Sequence, residues 1–192
     1  MSQYVRALVA SATVAAASVC GLGAAQAEVF NEVRLGVLDH DTDLVGSSKE
    51  GGFDVGVELL SPPIEALSLI GAPRVVLGAQ VNSEGFTSML YAGLQADWEF
   101  AHGVMRPDDA FFLEGTVGAA WHDGKTDVTG TPEEDEWKSH GGRFLFRTGF
   151  GVGYRFNETW SLAATFSHIS NANLDDPNEG SNDVGLRLGM RF

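Results

Sequence analysis

At 192 residues, with 26 acids against 12 bases and a formal charge of −14, the chain is too acidic to neutralise a phosphate backbone, which excludes a nucleic-acid partner. Its one cysteine, Cys20, falls in an apolar leader, so the rest of the chain has no disulfide, no thiolate metal site and no thiol nucleophile. No later segment has the roughly 18 consecutive apolar residues of a spanning helix.

Residues 1–27 read as a secretory signal peptide. Arg6 is the positive n-region, "ALVASATVAAASVCGLG" is uncharged and apolar, and Ala25–Ala27 is a small-residue cleavage signal. Cleavage there leaves residues 28–192 as one domain, one unit more negative because Arg6 is lost. From "NEVRLGVLDH" onward, apolar and polar residues alternate in segments of about ten, the period of a β-strand with one apolar face. The second segment, "GGFDVGVELL", puts Phe53, Val55, Val57 and Leu59 on one face and Asp54, Gly56 and Glu58 on the other. After "SPPIEALSLIGAP", which has room for a short interfacial helix, come "RVVLGAQV", "FTSMLYAGLQADWEF", "AFFLEGTVGAAWH", "RFLFRTGFGVGYRF", "TWSLAATFSHIS" and "DVGLRLGMRF". That makes eight strands.

A soluble β-sandwich or a lipocalin-like barrel would alternate too. Three features favour an eight-stranded antiparallel transmembrane β-barrel of the bacterial outer membrane. The polar faces carry charges (Arg34, Asp54, Glu58, Asp97, Glu114, Arg147, Arg155, Arg187) that a polar lumen pairs and a dry core does not tolerate. The apolar faces carry aromatics near strand ends, Trp98, Phe100, Trp121, Phe144, Phe156, Trp160 and Phe192, as in an interfacial girdle. Long polar loops near 40–51, 123–142 and 171–182 contrast with the short "NET" at 157–159. The final strand puts Leu186, Leu188, Met190 and Phe192 on one face, and its terminal aromatic resembles the signal read by the outer-membrane assembly machinery.

The seventh strand carries the chemistry. Trp160, Leu162, Ala164, Phe166, His168 and Ser170 share its lipid-facing side, so His168 and Ser170 point outward at the loop end. Residues i and i+2 lie about 6.5–7 Å apart along a strand, a gap that an imidazole spans to a hydroxyl. If strands seven and eight pair about a loop centred near 175, Asn182 comes opposite His168 and can orient it. On position alone, "SNANLDDPNEG" is also the composition of an ordinary solvated loop.

"SHISNANLDDPNEG" resembles the active-site segment of the PagL family, the outer-membrane lipid A 3-O-deacylases, through His168, Ser170, Asn171, Ala172, Leu174, Pro177, Asn178 and Gly180. The resemblance implies a serine hydrolase without cofactor or metal, acting on lipid A of lipopolysaccharide in the outer membrane. Ser170 would be the nucleophile, His168 the base, and Asn171 the oxyanion donor beside Ala172 and Asn173. Two positions depart from the family. Its glutamate 14 residues after the histidine is Asn182 here, and its glycine after "SNA" is Asn173. Glu179 or Asp183 are the carboxylates near enough in sequence to substitute, and alternation points Asp183 inward, leaving Glu179. The competing reading is a non-enzymatic small barrel serving adhesion or structure.

The other histidines, His40, His102, His122 and His140, show no metal-ligand spacing and read as solvated rim residues. The run "EEDE" at 133–136 reads as a solvated loop. The G-x-G of "GFGVGYRF" lies within an alternating strand and reads as lumen packing.

Overall fold

The computed structural model describes residues 29–44 and 46–192; the signal peptide and Cys20 lie outside them. Eight antiparallel strands follow in chain order: β1 (Glu32–Asp39), β2 (Phe53–Leu60), β3 (Arg74–Asn82), β4 (Met89–His102), β5 (Ala110–His122), β6 (Phe144–Arg155), β7 (Trp160–Ser170) and β8 (Ser181–Arg191). Each pairs with its neighbour in sequence, and β1 pairs with β8 from Glu32↔Arg191 to Asp39↔Val184, which closes the barrel. Closure leaves no strand edge with unpaired N–H and C=O groups, the condition for a sheet in lipid.

Alternation sorts the side chains as the sequence implies, with polarity inverted relative to a soluble barrel. Leu35, Val37, Val117, Phe150, Leu186 and Leu188 stand exposed on the outer wall. Inside, Arg34 bonds Glu32 at 2.6 Å and Glu114 at 2.7 Å, Arg74 holds Glu32, and Arg187 lies 3.4 Å from Glu58. The Arg147 guanidinium stacks 4.0 Å from the Tyr91 ring, whose hydroxyl donates to Glu58. Such pairs offset one another's desolvation, and removing one partner strands a buried charge. Small residues make room for them: a Cβ on Gly78 would lie 2.2 Å from Cζ of Tyr91, so the tyrosine of β4 fills the space the β3 glycine leaves.

The long connections 40–52, 123–143 and 171–180 cluster at one end. At the other, β6 and β7 join through 156–159, and the 61–73 connection contains a 3-10 turn, Glu65–Ile70, that ends on Gly71 in the left-handed region at φ 92°. Leu67, Leu69 and Ile70 of that turn are exposed, as in the interfacial element expected there. The long loops fold over the barrel mouth. Val128 is buried, Trp137 packs 5.0 Å from Phe86, and Lys138 reaches Asp41 and the Ser47 carbonyl. The acids 133–136 remain exposed.

This folding-over corrects the reading of the histidines. His102 is exposed, but His40, His122 and His140 are 3%, 0% and 1% exposed. His40 donates to Asp54 at 3.0 Å and Glu50 at 2.9 Å, and His122 packs edge-on against His140 with ring centroids 4.7 Å apart. Spacing along the chain could not reveal this, because strand closure and loop packing bring the groups together. Burial alone would push the His40 imidazole down, but the Asp54 and Glu50 carboxylates outweigh it and raise it to about 10. His140 is lowered to about 4 by burial and by its neighbour His122.

These opposite shifts fix a pH dependence. With an unfolded value of about 6.5, the stabilisation from charged His40 is full below that pH and is lost as pH rises through about 10. The stabilisation from neutral His140 is full above about 6.5 and is lost as pH falls through about 4. Urea unfolding of the micelle-held barrel is expected to show the highest midpoint near pH ~6.5. His40→Gln should flatten the alkaline limb; an unaltered limb in that variant would contradict the assignment.

Candidate active site at the ends of β7 and β8

The last outward positions of β7, His168 and Ser170, are half-buried on the lipid-facing wall, while Ser167 and Ile169 between them face inward and are buried. Register aligns His168 with Asn182 of β8 and Thr148 of β6, and Ser170 with Phe146 of β6. Asn182 Oδ1 lies 2.8 Å from His168 Nδ1. An amide oxygen only accepts, so Nδ1 carries the proton and Nε2 keeps the lone pair of a base.

Gly180 seats the ring. A Cβ there would lie 2.6 Å from His168 Cε1 and 3.3 Å from Nε2, so any side chain at 180 displaces the imidazole. Ser170 sits one step further along the same face. Its hydroxyl makes no hydrogen bond to the ring, so the pair shares a face without being closed by a direct bond. Catalytic hydrogen bonds of ligand-free enzymes are often long and tighten only with substrate.

The fold sends Glu179 elsewhere. Its carboxylate accepts from Ser139 N–H at 2.7 Å and pairs with Lys49 at 2.7 Å, stitching three loops together. Partial burial would raise it, but Lys49 and the Ser139 amide hold it below the usual carboxylate range. Asp183, as alternation implies, is buried in the lumen. Asn182 is therefore the group that meets the imidazole.

Asn171 is 4% exposed, and its Nδ2 faces the carbonyls of His140, Asp175 and Pro177 at 2.9 to 3.1 Å. Its own N–H donates to Asn178 Oδ1 at 2.9 Å, so both its donors serve the loop. Ala172 and Asn173 follow in the left-handed region at φ 55° and 60°. Asparagine tolerates that conformation better than alanine, so the backbone here is held by its surroundings. Among the described residues, no acceptor takes the N–H groups of Ala172 and Asn173. A depression of ≈ 530 Å³ opens over Asn173, Leu174, Asp175, Asp176 and Asn178. Around the site the outer wall is apolar, with Phe144, Phe146, Phe150 and Leu186 exposed by 75%, 51%, 56% and 55%.

The sequence did not single out Gly180 as a seat or Phe146 as the neighbour of Ser170. Phe146 had a signal in the alternation of "RFLFRTGF"; Gly180 stood in the family-like segment, but its role as a seat depends on how the loop returns.

Among solved structures, the chain is similar to that of the outer membrane enzyme PagL, with a TM-score of 0.59, 17% identity, and coverage of 84% of this chain and 99% of that one. It is also similar to Neisserial surface protein A (NspA), with a TM-score of 0.50, 11% identity, and coverage of 86% and 97%. At these identities the likeness speaks for the fold alone. No curated protein matches the chain. The family model described as lipid A 3-O-deacylase (PagL) matches residues 83–191, more than half of the chain, including all of β4 to β8 and the His168–Asn182 pair. The eight-stranded outer-membrane barrel with this pair at its rim belongs to the lipid A 3-O-deacylase (PagL) family.

Proposed function

We propose that the protein is a serine esterase that removes an ester-linked acyl chain, the 3-O-linked hydroxyacyl chain, from lipid A at the external leaflet of the outer membrane. The observation that carries this is the 2.8 Å bond from His168 Nδ1 to Asn182, which leaves Nε2 basic on the lipid-facing wall beside Ser170. A substrate that is itself the membrane needs its nucleophile outside the barrel, and the outward alternation of β7 supports that.

In this reading Ser170 Oγ attacks the ester carbonyl as Nε2 of His168 takes its proton. The carbonyl oxygen becomes an oxyanion that the free N–H groups of Ala172 and Asn173 would bind, while Asn171 holds the loop that carries them. His168 then passes the proton to the departing sugar hydroxyl. Water, deprotonated by the same nitrogen, releases the acyl group from Ser170. The exposed Phe144, Phe146, Phe150 and Leu186 line the acyl chains, and the depression over residues 173–178 takes the sugar. No cofactor or metal enters these steps. The leader is removed after Ala27, and Phe192 presents the chain to the outer-membrane assembly machinery.

The test is mass spectrometry of lipid A exposed to the refolded barrel, beside Ser170→Ala and His168→Ala. Loss of one hydroxyacyl chain, absent in both variants, supports the esterase. Unchanged lipid A from a folded barrel overturns it in favour of a non-enzymatic scaffold. Gly180→Ala gives a finer check. Its Cβ would press on the His168 ring at 2.6 Å and on the Ile169 carbonyl at 2.9 Å, so kcat should fall by about 10- to 100-fold and the unfolding midpoint should fall modestly with it. An unchanged kcat would mean the ring position does not matter.

A further inference from the structure

Asn182 points outward, and the residues on either side of it, Ser181 and Asp183, point into the lumen and are each 2% exposed. Both are gripped. Ser181 Oγ donates to Asp41 Oδ1 at 3.1 Å, Asp41 N–H donates to Asp183 Oδ1 at 3.3 Å, and Gln80 Nε2 donates to Asp183 Oδ2 at 3.0 Å. The Asn182 carbonyl accepts from Thr42 N–H at 2.7 Å. These contacts tie the backbone around Asn182 to the loop after β1 and to β3.

His40 is at the centre of this plug. Its Nδ1 lies 3.0 Å from Asp54 Oδ2 and 3.7 Å from Asp183 Oδ1, and its Nε2 lies 2.9 Å from Glu50 Oε2. Ligand atoms of His40, Asp54 and Asp183 all fall within 4.8 Å of one another. With both ring nitrogens on carboxylates, the imidazole is the cation of the cluster. The charged groups around it are Asp54 from β2, Glu50 and Asp41 from the loop after β1, Asp183 from β8, and Lys138 from the loop after β5, whose Nζ lies 3.5 Å from Asp41. These buried carboxylates repel one another, and the charge on His40 is what lets Asp183 stay beside Asp54.

We propose that His40 is a positioning residue for the site: its positive charge inside the barrel fixes Asp183, and through it the β8 backbone that holds Asn182 against His168. This deepens the esterase reading and rests on it for the catalytic consequence. The coupling itself is independent of whether the protein cleaves lipid A. Without the cation, Asp183 turns away or takes a proton, β8 loses its hold beside Asn182, and the imidazole is no longer kept in one tautomer.

The experiment is ¹⁵N NMR of the histidine rings in the refolded protein in detergent micelles, with folding checked by heat-modifiability on a gel. Asn182→Ala defines the His168 signal without its partner. His40→Gln should move the His168 Nδ1 signal toward that reference and lower kcat by about 10-fold with KM unchanged, because His40 does not touch substrate. The double variant His40→Gln/Asp183→Asn removes the cation together with the anion it holds, and should recover part of both losses. General loosening of the barrel would not be recovered in this way. A folded His40→Gln barrel with an unmoved His168 signal would overturn the proposal. So would a double variant no better than the single. If the wild type cleaves no lipid A, the esterase reading fails while the NMR arm still decides the coupling.

Discussion

Ser170→Ala is expected to lower acyl release from lipid A by about 10³-fold or more, and His168→Ala by a similar factor. Without Oγ there is no covalent intermediate. Without the imidazole, the hydroxyl keeps its proton at neutral pH and attacks poorly. In the proposed mechanism the two act on one proton transfer, so the double variant should be little worse than either single one. Stability should hardly change, because both side chains are half-buried at the rim and neither belongs to the lumen network. Heat-modifiability therefore distinguishes lost chemistry from lost folding. Equal activity in wild type and Ser170→Ala would rule out Ser170 as nucleophile, whatever the fold.

The strand faces were legible because a barrel imposes period two on every strand and the lipid makes one face apolar. His168 and Ser170 share parity with Trp160 and Leu162, so their outward direction followed from counting. Their alignment with Asn182 followed from a hairpin centred near 175. The lumen was legible as charge: Arg34, Glu58, Glu114 and Arg187 are all buried among partners. What counting could not reach depends on how loops return over the mouth. Glu179 looked available to the imidazole from spacing alone, yet it pairs with Lys49 and the Ser139 amide, contacts 130 and 40 residues distant in sequence. Asn171 looked like a free donor, yet its amide faces carbonyls of two loops. His40, His122 and His140 looked solvated because each follows or precedes polar loop sequence. Loop closure buries them, and no pattern within ten residues of any of them encodes it.

The resemblance to the family implies a glutamate where this chain has Asn182, and Asn182→Asp is expected to raise kcat by about 10-fold. Asparagine already supplies the geometry: Oδ1 at 2.8 Å from Nδ1 fixes the ring's tautomer and direction. What an amide cannot supply is a negative charge to stabilise the imidazolium that forms when His168 takes the serine proton. Aspartate is nearly isosteric, so it adds charge without moving the acceptor, whereas glutamate adds a methylene that the β7–β8 pair has not been shaped around. The gain is smaller than the loss seen when a triad carboxylate is replaced, because here the tautomer is already correct. Asn182→Ala should do the opposite, lowering kcat by about 10- to 100-fold as the ring loses its restraint. The added carboxylate sits one residue from buried Asp183, so the unfolding midpoint of Asn182→Asp should drop slightly even as turnover rises. Steady-state kinetics on a lipid A ester would show a kcat change with KM nearly constant, since position 182 contacts the base and not the acyl chain. If Asn182→Ala matched wild type, the histidine would be oriented by something other than the residue its Nδ1 meets.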